Sequence, residues 1–275
     1  MEQNTLEGAP FEEYAESREE VVRVEGLSKT FTLSRKQQKI ERTTLTRKVA
    51  VDGLSFSAYR GEIYGLLGPN GAGKTTTLRI LATLIKPDAG QAFVCGHSVL
   101  REPHKVRDSI GFLTSELKLE GFFTPDYLFD FFGAMHGVEK ETLARRKREL
   151  FTRFGIDRFA EVRVKDLSTG MLQKLSLVIS IAHDPEVLIF DEPTNGLDVI
   201  TAKVVTDFLL ELKKMGKSVL LSTHIFSLVE KLCDRVGIII DGKMAVSGTL
   251  EEVTAGESLE NKFFNIYRAV KGEEV

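Results

Sequence analysis

The chain has 275 residues, of which 42% are hydrophobic and 28% are charged, a balance typical of a folded globular protein. Its 37 basic and 40 acidic residues give a net charge of -3, so no overall attraction to nucleic acid or to an anionic membrane is expected. No apolar run approaches the ~18 residues that a membrane span needs, and Met1-Glu2-Gln3-Asn4 does not start a secretory signal.

The N-terminal residues 1–20 are acidic and rich in glutamate, which predicts a mobile tail or a loosely docked helix. The alternating run Val21–Glu25 then predicts a first strand. A basic stretch follows from Arg35 to Lys48. It is interpreted as an exposed hairpin loop, or alternatively as a contact for lipid headgroups or an acidic partner.

The residues Gly68 to Thr75 read Gly-Pro-Asn-Gly-Ala-Gly-Lys-Thr and fit the phosphate-binding pattern G-x-x-x-x-G-K-[ST]. The apolar run Ile63–Leu67 before them predicts a buried strand, and Thr76–Ile85 after them has apolar residues at helical spacing. A strand, a loop and a helix in this order form the context in which the pattern binds nucleotide.

The chemistry of phosphate binding explains these residue types. Glycines at positions 68, 71 and 73 let the backbone turn tightly and approach a phosphate, and the N–H groups at the helix start face the anion. Lys74 can reach the β- and γ-phosphates, and Thr75 offers a hydroxyl to Mg²⁺.

The sequence pattern in the middle of the chain changes from strand to helix. Gln91–Cys95 predicts another strand, whereas residues 122–164 are helical in pattern. Five phenylalanines cluster there, at positions 122, 123, 129, 131 and 132. They are expected to form the core of a small helical subdomain, with a partner-binding groove as the alternative, and Arg145–Arg148 is expected to be a solvated helix face.

Strand character returns in three unbroken apolar runs, Val187–Phe190, Ser218–Ser222 and Val236–Ile240. Helical patterns over Thr201–Met215 and Ile225–Cys233 alternate with them, which predicts a parallel α/β sheet. Asp241-Gly242 predicts a tight hairpin turn. The two cysteines, Cys95 and Cys233, are expected to be reduced core residues rather than a disulfide.

Two carboxylates, Asp191 and Glu192, end the first of these runs. They therefore lie at the carboxyl end of a strand, where α/β proteins bind ligands. Asp191 is expected to hold Mg²⁺, directly or through water, and Glu192 to polarise an attacking water.

The motifs together resemble the ABC ATPase family. Asp191 to Asp198 reads Asp-Glu-Pro-Thr-Asn-Gly-Leu-Asp and looks like the Walker B and D-loop segment of that family. Leu167–Met171 stands where the family has its signature, and Ser222-Thr223-His224 matches its switch histidine. The resemblance covers about Val21 to Val253, with all motifs in the family's order.

The resemblance implies a fold and a division of the chain. It implies an α/β P-loop ATPase with a RecA-like parallel-sheet core, an antiparallel β subdomain and a small α-helical subdomain. We predict an acidic tail over residues 1–20, an ATP-binding domain over 21–255 and a C-terminal extension over 256–275, with the helical subdomain at about 116–170.

Residue roles follow from the same resemblance. Phe31 matches the aromatic residue that stacks on adenine, although a core position is its simpler interpretation. His224 resembles the residue that bridges the γ-phosphate and the catalytic Glu192. Ser168 and Gly170 resemble the donors to ATP held by an opposing subunit, and Asp198 the residue that signals between two nucleotide sites. The remaining predicted nucleotide contacts are Gly68, Pro69, Asn70, Gly71, Ala72, Gly73, Lys74, Thr75 and Thr76, with Thr75 and Asp191 as metal ligands.

Two segments depart from the family pattern. The signature has Thr169 where glycine is usual and Met171 where glutamine is usual, which predicts a working but slower site. Ser115 stands where the family has a glutamine that touches Mg²⁺ or its water. Serine is too short for that role, and either a water or Glu116 could compensate.

These observations predict an ATP-binding and ATP-hydrolysing subunit, with ATP and Mg²⁺ as cofactors. Its expected partners are a second nucleotide-binding subunit and separate transmembrane permease subunits, at the cytoplasmic face of the cell membrane. Within the family it looks most like exporters, and the Leu-Thr-Ser segment resembles the sodium-extruding branch. The alternatives are a soluble ABC machine and a weakly hydrolysing regulatory half of a heterodimer.

Overall fold

The computed structural model describes residues 19–40, 43–114 and 119–272, apart from the side chain of Gln37. Most of the predicted acidic tail lies outside these ranges, as do Ser115 and Glu116. None of the helices in the described ranges combines the length and the apolar composition that crossing a bilayer requires.

The described chain contains ten strands and ten α-helices. The strands are β1 (Glu20–Thr32), β2 (Arg47–Tyr59), β3 (Ile63–Leu67), β4 (Ala89–Val94), β5 (His97–Ser98), β6 (Ile110–Thr114), β7 (Val187–Asp191), β8 (Ser218–Thr223), β9 (Arg235–Ile240) and β10 (Lys243–Thr249). The helices are α1 (Arg35–Ile40), α2 (Lys74–Leu81), α3 (Pro103–Ser109), α4 (Pro125–Met135), α5 (Lys140–Phe154), α6 (Thr169–Ser180), α7 (Val199–Lys214), α8 (Phe226–Leu232), α9 (Leu250–Thr254) and α10 (Leu259–Lys271).

The central sheet has six strands in the order β10-β9-β3-β8-β7-β6. All its neighbouring pairs are parallel except β9 with β10, so the predicted parallel sheet is confirmed. β3, β7 and β8 are buried along their whole length, which explains their continuous apolar sequences. β9 and β10 form the predicted hairpin, in which Asp241 and Gly242 both have positive φ.

The second sheet is antiparallel, in the order β2-β1-β4-β5. β1 continues well beyond the predicted Val21–Glu25, through several register shifts against β2. These bulges break the alternation in β1 and in the first half of β2, which was not predicted although Leu54–Tyr59 alternates regularly. The basic stretch connects β1 to β2 and contains α1, as expected of an exposed hairpin connection, except that its last two residues, Arg47 and Lys48, already belong to β2. Its contact with lipid or an acidic partner stays a prediction.

Alternate side chains of the central strands pack into two separate cores. Tyr64 and Leu66 of β3 face a core shared with the antiparallel sheet. Ile63 and Leu67 face a second core, shared with α7, α8 and α10. The central sheet is therefore covered on both faces, and its strands can move little relative to each other.

The predicted helix over Thr76–Ile85 begins two residues earlier, at Lys74, and ends earlier, at Leu81. Thr83 has a φ of 62°, a left-handed conformation that ends the helix before the apolar pattern does. Cys95 and Cys233 carry free thiols; Cys233 is buried as the core interpretation expects, whereas Cys95 is half-buried at the edge of the core.

The helical region after β6 is built from α4, α5, α6 and two short 3-10 helices, Asp157–Phe159 and Val164–Asp166. Phe129 is fully buried and meets Phe151 edge to face at 5.4 Å, as the core interpretation expects. Phe122 and Phe131 are 63% and 46% exposed, and therefore do not belong to this core.

The basic run at the middle of α5 differs from the expected solvated face. Lys147 forms ion pairs with Asp126 and Asp130 of α4, at 2.5 and 2.8 Å. Arg146 pairs with Asp184, which follows α6. The inner two charges of the run therefore tie α5 to its neighbours, and Arg145 and Arg148 remain exposed.

Two histidines connect the helical region to the central sheet. The rings of His136, at the end of α4, and His183, after α6, stack with 3.8 Å between centroids. His183 Nε2 donates to the carbonyl of Ile110 on β6 at 2.9 Å. Burial lowers the pKa of His183 to about 4, with the neighbouring His136 as the second cause. The charge of Asp108 raises the pKa of His183, whereas the charge of Arg146 lowers it further.

We expect His183 to make the free energy of unfolding fall as the pH drops from about 6.5 to about 4. In that window the unfolded chain binds a proton that the folded chain excludes, so protonation favours unfolding. The penalty is absent at neutral pH and reaches about 2 kcal/mol below the window, after allowance for partial exposure.

Urea unfolding of the unaltered chain and of His183→Gln, at pH 7 and at pH 4.5, tests this. Glutamine can still donate to the Ile110 carbonyl but does not titrate, so the variant should gain stability relative to the parent at the lower pH. A stability difference independent of pH would contradict the assignment.

Candidate functional site

The loop between β3 and α2 is packed against other backbone segments, and glycine is required at its two ends. A Cβ on Gly68 would lie 2.3 Å from the carbonyl oxygen of Ile239, and one on Gly73 would lie 2.3 Å from that of Ala50. Gly73 also has a φ of 109°, which L side chains rarely adopt. Behind the loop, the Gly242 N–H donates to the carbonyl of Ala72 at 2.9 Å. The predicted phosphate loop is therefore held from behind by β9, β2 and the hairpin turn.

Lys74 is the buried cation of the site, with 5% of its side chain exposed. Its Nζ donates to the carbonyls of Gly68 at 2.7 Å and Pro69 at 3.2 Å, and lies 3.3 Å from Glu192 Oε1. A buried ammonium group is stable only when its donors are satisfied in this way. The lysine is thus positioned inside the curve of the loop, where the sequence pattern places it.

The carboxyl ends of β3, β7 and β8 lie side by side because of their parallel register, in which Asp191 pairs with Ser222 and Leu67 with Thr223. The Thr75 hydroxyl donates to Asp191 Oδ1 at 3.0 Å, and the Ser222 hydroxyl donates to the same oxygen at 2.6 Å. Two hydroxyls and one buried carboxylate therefore converge on a single point.

Glu192 lies one residue beyond the strand and has a φ of 51°, an uncommon conformation for glutamate that often marks functional sites. Its N–H donates to the Ser222 hydroxyl at 3.0 Å and lies 3.2 Å from the Ser222 carbonyl, which fixes the turn. Its carboxylate lies between Lys74 and His224, with His224 Nδ1 at 3.0 Å from Oε2. The two predicted catalytic residues are therefore in direct contact.

A cavity of about 340 Å³ opens in front of these groups, within the range of small-molecule sites. Phe31 lies at one end of it, and its cross-strand partner on β2 is Lys48. Lys29 Nζ lies 5.6 Å from the centre of the Phe31 ring. Phe31 is therefore a half-exposed wall residue rather than a core residue. The lining residues are Phe31, Leu33, Lys48, Ala50, Asn70, Gly71, Gly73, Lys74, Thr75, Thr76, Glu192 and Asn195.

Six predicted nucleotide contacts do not line this cavity in the described part of the chain: Gly68, Pro69 and Ala72 within the loop, and Ser168, Gly170 and Asp198 outside it. Ser168 is the N-cap of α6 and accepts from the N–H of Met171 at 3.3 Å. Asp198 is the N-cap of α7, and the Thr201 hydroxyl that donates to it lies beside Gly170. Hydrogen bonds from Thr201, first of all that of its hydroxyl, lower the pKa of Asp198. The structure thus groups Ser168, Gly170 and Asp198 at the starts of two helices, apart from Lys74.

The structure places further residues at the site that the sequence patterns did not identify. Ser222 connects Asp191 to Glu192, and only its place before Thr223-His224 marked it in the sequence. Asn195 lines both the main cavity and a neighbouring one of about 270 Å³ that also includes Thr169 and Glu192. Lys48 and Ala50 of the antiparallel sheet, and Leu33 just after β1, had no local signal in the sequence. Ser115 and Glu116 lie outside the described residues, and Thr114 just before them pairs with Asp191.

Comparison with known proteins identifies the same family that the sequence motifs resemble. The profile of the ABC transporter family matches residues 51–195, more than half of the chain. An ABC transporter ATP-binding protein of Methanocaldococcus jannaschii is 39% identical over 209 residues, which are 75% of this chain and 74% of that protein. The ABC transporter ATP-binding protein NatA of Bacillus subtilis is 36% identical over 213 residues, 77% of this chain and 87% of that protein.

A solved structure described as the ATP-binding subunit of an ABC transporter superposes with a TM-score of 0.77 at 26% identity. The match covers 90% of this chain and 99% of the other. The chain therefore belongs to the ABC transporter family, as an ATP-binding subunit with the ABC ATPase fold.

We expect Gly68→Ala to lower the free energy of unfolding by about 3 kcal/mol, because the new Cβ would overlap the Ile239 carbonyl oxygen and force backbone to move. Gly71→Ala is the matched control in the same loop. Its Cβ would meet nothing within 4 Å, so only the strain of a φ of 82°, about 1 kcal/mol, applies. Urea unfolding of both variants tests the difference, and equal losses would contradict the packing argument.

Proposed function

We propose that this chain hydrolyses MgATP and that its closure on a second nucleotide-binding subunit powers export through separate transmembrane subunits. The observation that carries the proposal is the position of the Glu192 carboxylate, between Lys74 and His224 and one residue beyond Asp191. Membership of the ABC transporter family supports it.

The phosphates of ATP would bind the loop Gly68–Gly73 and the N-terminus of α2. N–H groups at a helix start carry partial positive charge and favour anions. Lys74 would exchange its loop carbonyls and Glu192 for phosphate oxygens. Phe31 would stack on the adenine at the far end of the cavity.

Thr75 and Asp191 would hold Mg²⁺. Their oxygens already converge at 3.0 Å, and one carboxylate with one hydroxyl leaves positions for phosphate and water, as Mg²⁺ prefers. When bound, the ion would neutralise charge on the β- and γ-phosphates. Ser222 would hold the Asp191 carboxylate in place through its 2.6 Å hydrogen bond.

Glu192 would orient and polarise the attacking water, and His224 would fix the Glu192 carboxylate. The left-handed turn at Glu192 and its hydrogen bonds to Ser222 keep the carboxylate at the strand end. His224, 40% exposed, can reach both Glu192 and a bound γ-phosphate. This geometry favours hydrolysis over the alternative of a weakly hydrolysing regulatory half.

Ser168, Gly170 and Asp198 would serve the opposing subunit. Their position at the starts of α6 and α7, away from the lining of this chain's own cavity, supports a role towards a second nucleotide domain. We propose such a dimer, of two like or two different subunits. Permease subunits would hold it at the cytoplasmic face of the cell membrane, with closure driven by ATP binding.

We expect Glu192→Gln to lower the ATP turnover rate by at least about a hundredfold, because glutamine cannot accept the proton of the water, while ATP binding persists. Phosphate release and nucleotide affinity are measured on the same samples. Glu186→Gln, at the opposite end of β7, is the matched control and should keep normal turnover. Lys74→Ala should instead lose nucleotide affinity. Undiminished turnover in Glu192→Gln would remove Glu192 from the mechanism.

We expect the chain to purify from detergent-solubilised native membranes with a stoichiometric multi-span partner. Mass spectrometry of that sample would identify the partner and any second nucleotide subunit. Recovery of the chain only in the ribosomal or membrane-free fraction would contradict the transport role and leave the ATPase assignment intact.

A further inference from the structure

A row of three side chains on α10 lies between the segment that follows His224 and the turn behind the phosphate loop. Phe263, Tyr267 and Lys271 are spaced four residues apart, so they share one face of the helix. Phe263 and Tyr267 stack with 6.0 Å between ring centres, and Lys271 Nζ lies 5.8 Å from the Tyr267 ring. The helix was not predicted as a separate element within the C-terminal extension.

The first end of the row meets the element that follows His224. Phe226 begins α8, two residues after His224, and its ring lies 5.1 Å from that of Phe263. Farther along α8, the Glu230 carboxylate accepts from the N–H of Leu259 at 3.0 Å. α8 has only seven residues, so these two contacts with α10 hold it near its start and near its middle.

The second end of the row meets the turn behind the phosphate loop. Lys271 Nζ lies 2.5 Å from Asp241 Oδ2, and the N–H of the next residue, Gly242, donates to Ala72 in the loop. At its N-terminal end α10 is anchored by Leu259 and Phe263, which are buried in the core that also covers the central sheet. The helix is thus fixed at both ends.

We propose that Phe263 is a positioning residue for ATP hydrolysis: through Phe226 it holds the start of α8, and with it His224, at the distance that Glu192 requires. The inference rests on the proposed function. His224 itself has a short tether, since the N–H of Ile225 bonds back to Thr223 Oγ1 at 3.1 Å. His224 therefore lies in a tight turn between the end of β8 and Phe226, the residue that Phe263 contacts.

The test compares steady-state MgATP hydrolysis by the full chain and by Phe263→Ala, each at saturating protein concentration. We expect kcat to fall about tenfold while KM for MgATP changes by less than about twofold, because the phosphate loop and Phe31 are untouched. Phe263→Leu keeps apolar volume against Phe226 and should recover most of the turnover.

Two controls separate positioning from general loss of stability. Val270→Ala changes an exposed residue of the same helix and should leave both constants unchanged. Val253→Ala removes buried volume from the same core cluster, outside the row, and should lower stability without the selective loss of kcat.

The outcomes are distinct. Full turnover in a folded Phe263→Ala, or a loss of kcat no larger than that of Val253→Ala at equal stability, overturns the positioning role. If Phe263→Ala does not fold, Phe226→Ala, which removes the same ring contact from the side of α8, decides: a selective loss of kcat supports the role, and unchanged kcat overturns it. Absence of hydrolysis by the unaltered chain would instead reject the proposed function itself.

Discussion

The parallel register of three buried strands fixes the geometry of the whole site. β3, β7 and β8 end at the same level, so the loop after β3 and the carboxylates after β7 must face each other. Because both faces of the sheet are covered by packed cores, this alignment is set by burial rather than by the polar residues themselves. Asp191, Thr75 and Ser222 then need only short hydrogen bonds to complete the metal-binding corner.

The charges of the site balance each other locally. Lys74 is almost fully buried, and loop carbonyls and the Glu192 carboxylate satisfy it. Glu192 in turn is 15% exposed and lies between Lys74 and His224. A buried cation and a nearly buried carboxylate thus compensate each other's lost hydration. A bound phosphate would replace the carboxylate as the partner of the lysine.

The sequence was most informative where a residue has a local requirement. Gly68 and Gly73 are needed for close backbone approach, and the apolar run of β7 is needed for burial, so both patterns were visible. Leu54–Tyr59 of β2 alternates regularly, but a bulge before Leu54 separates it from the first half of the strand, and β2 was not predicted. Lys48 entered the cavity only through its cross-strand pairing with Phe31. Such long-range pairings leave no trace at fixed spacing along the chain.

The β1–β2 hairpin supplies contacts at both ends of the cavity. Phe31 and its partner Lys48 stand at one end, and the carbonyl of Ala50, two residues along β2, touches the phosphate loop at Gly73. The backbone separation between the partner of Phe31 and the phosphate loop is therefore set by two residues of extended chain. The hairpin therefore fixes the distance between the backbone that carries the aromatic ring and the loop that would bind the phosphates, and a bound molecule has to match that distance.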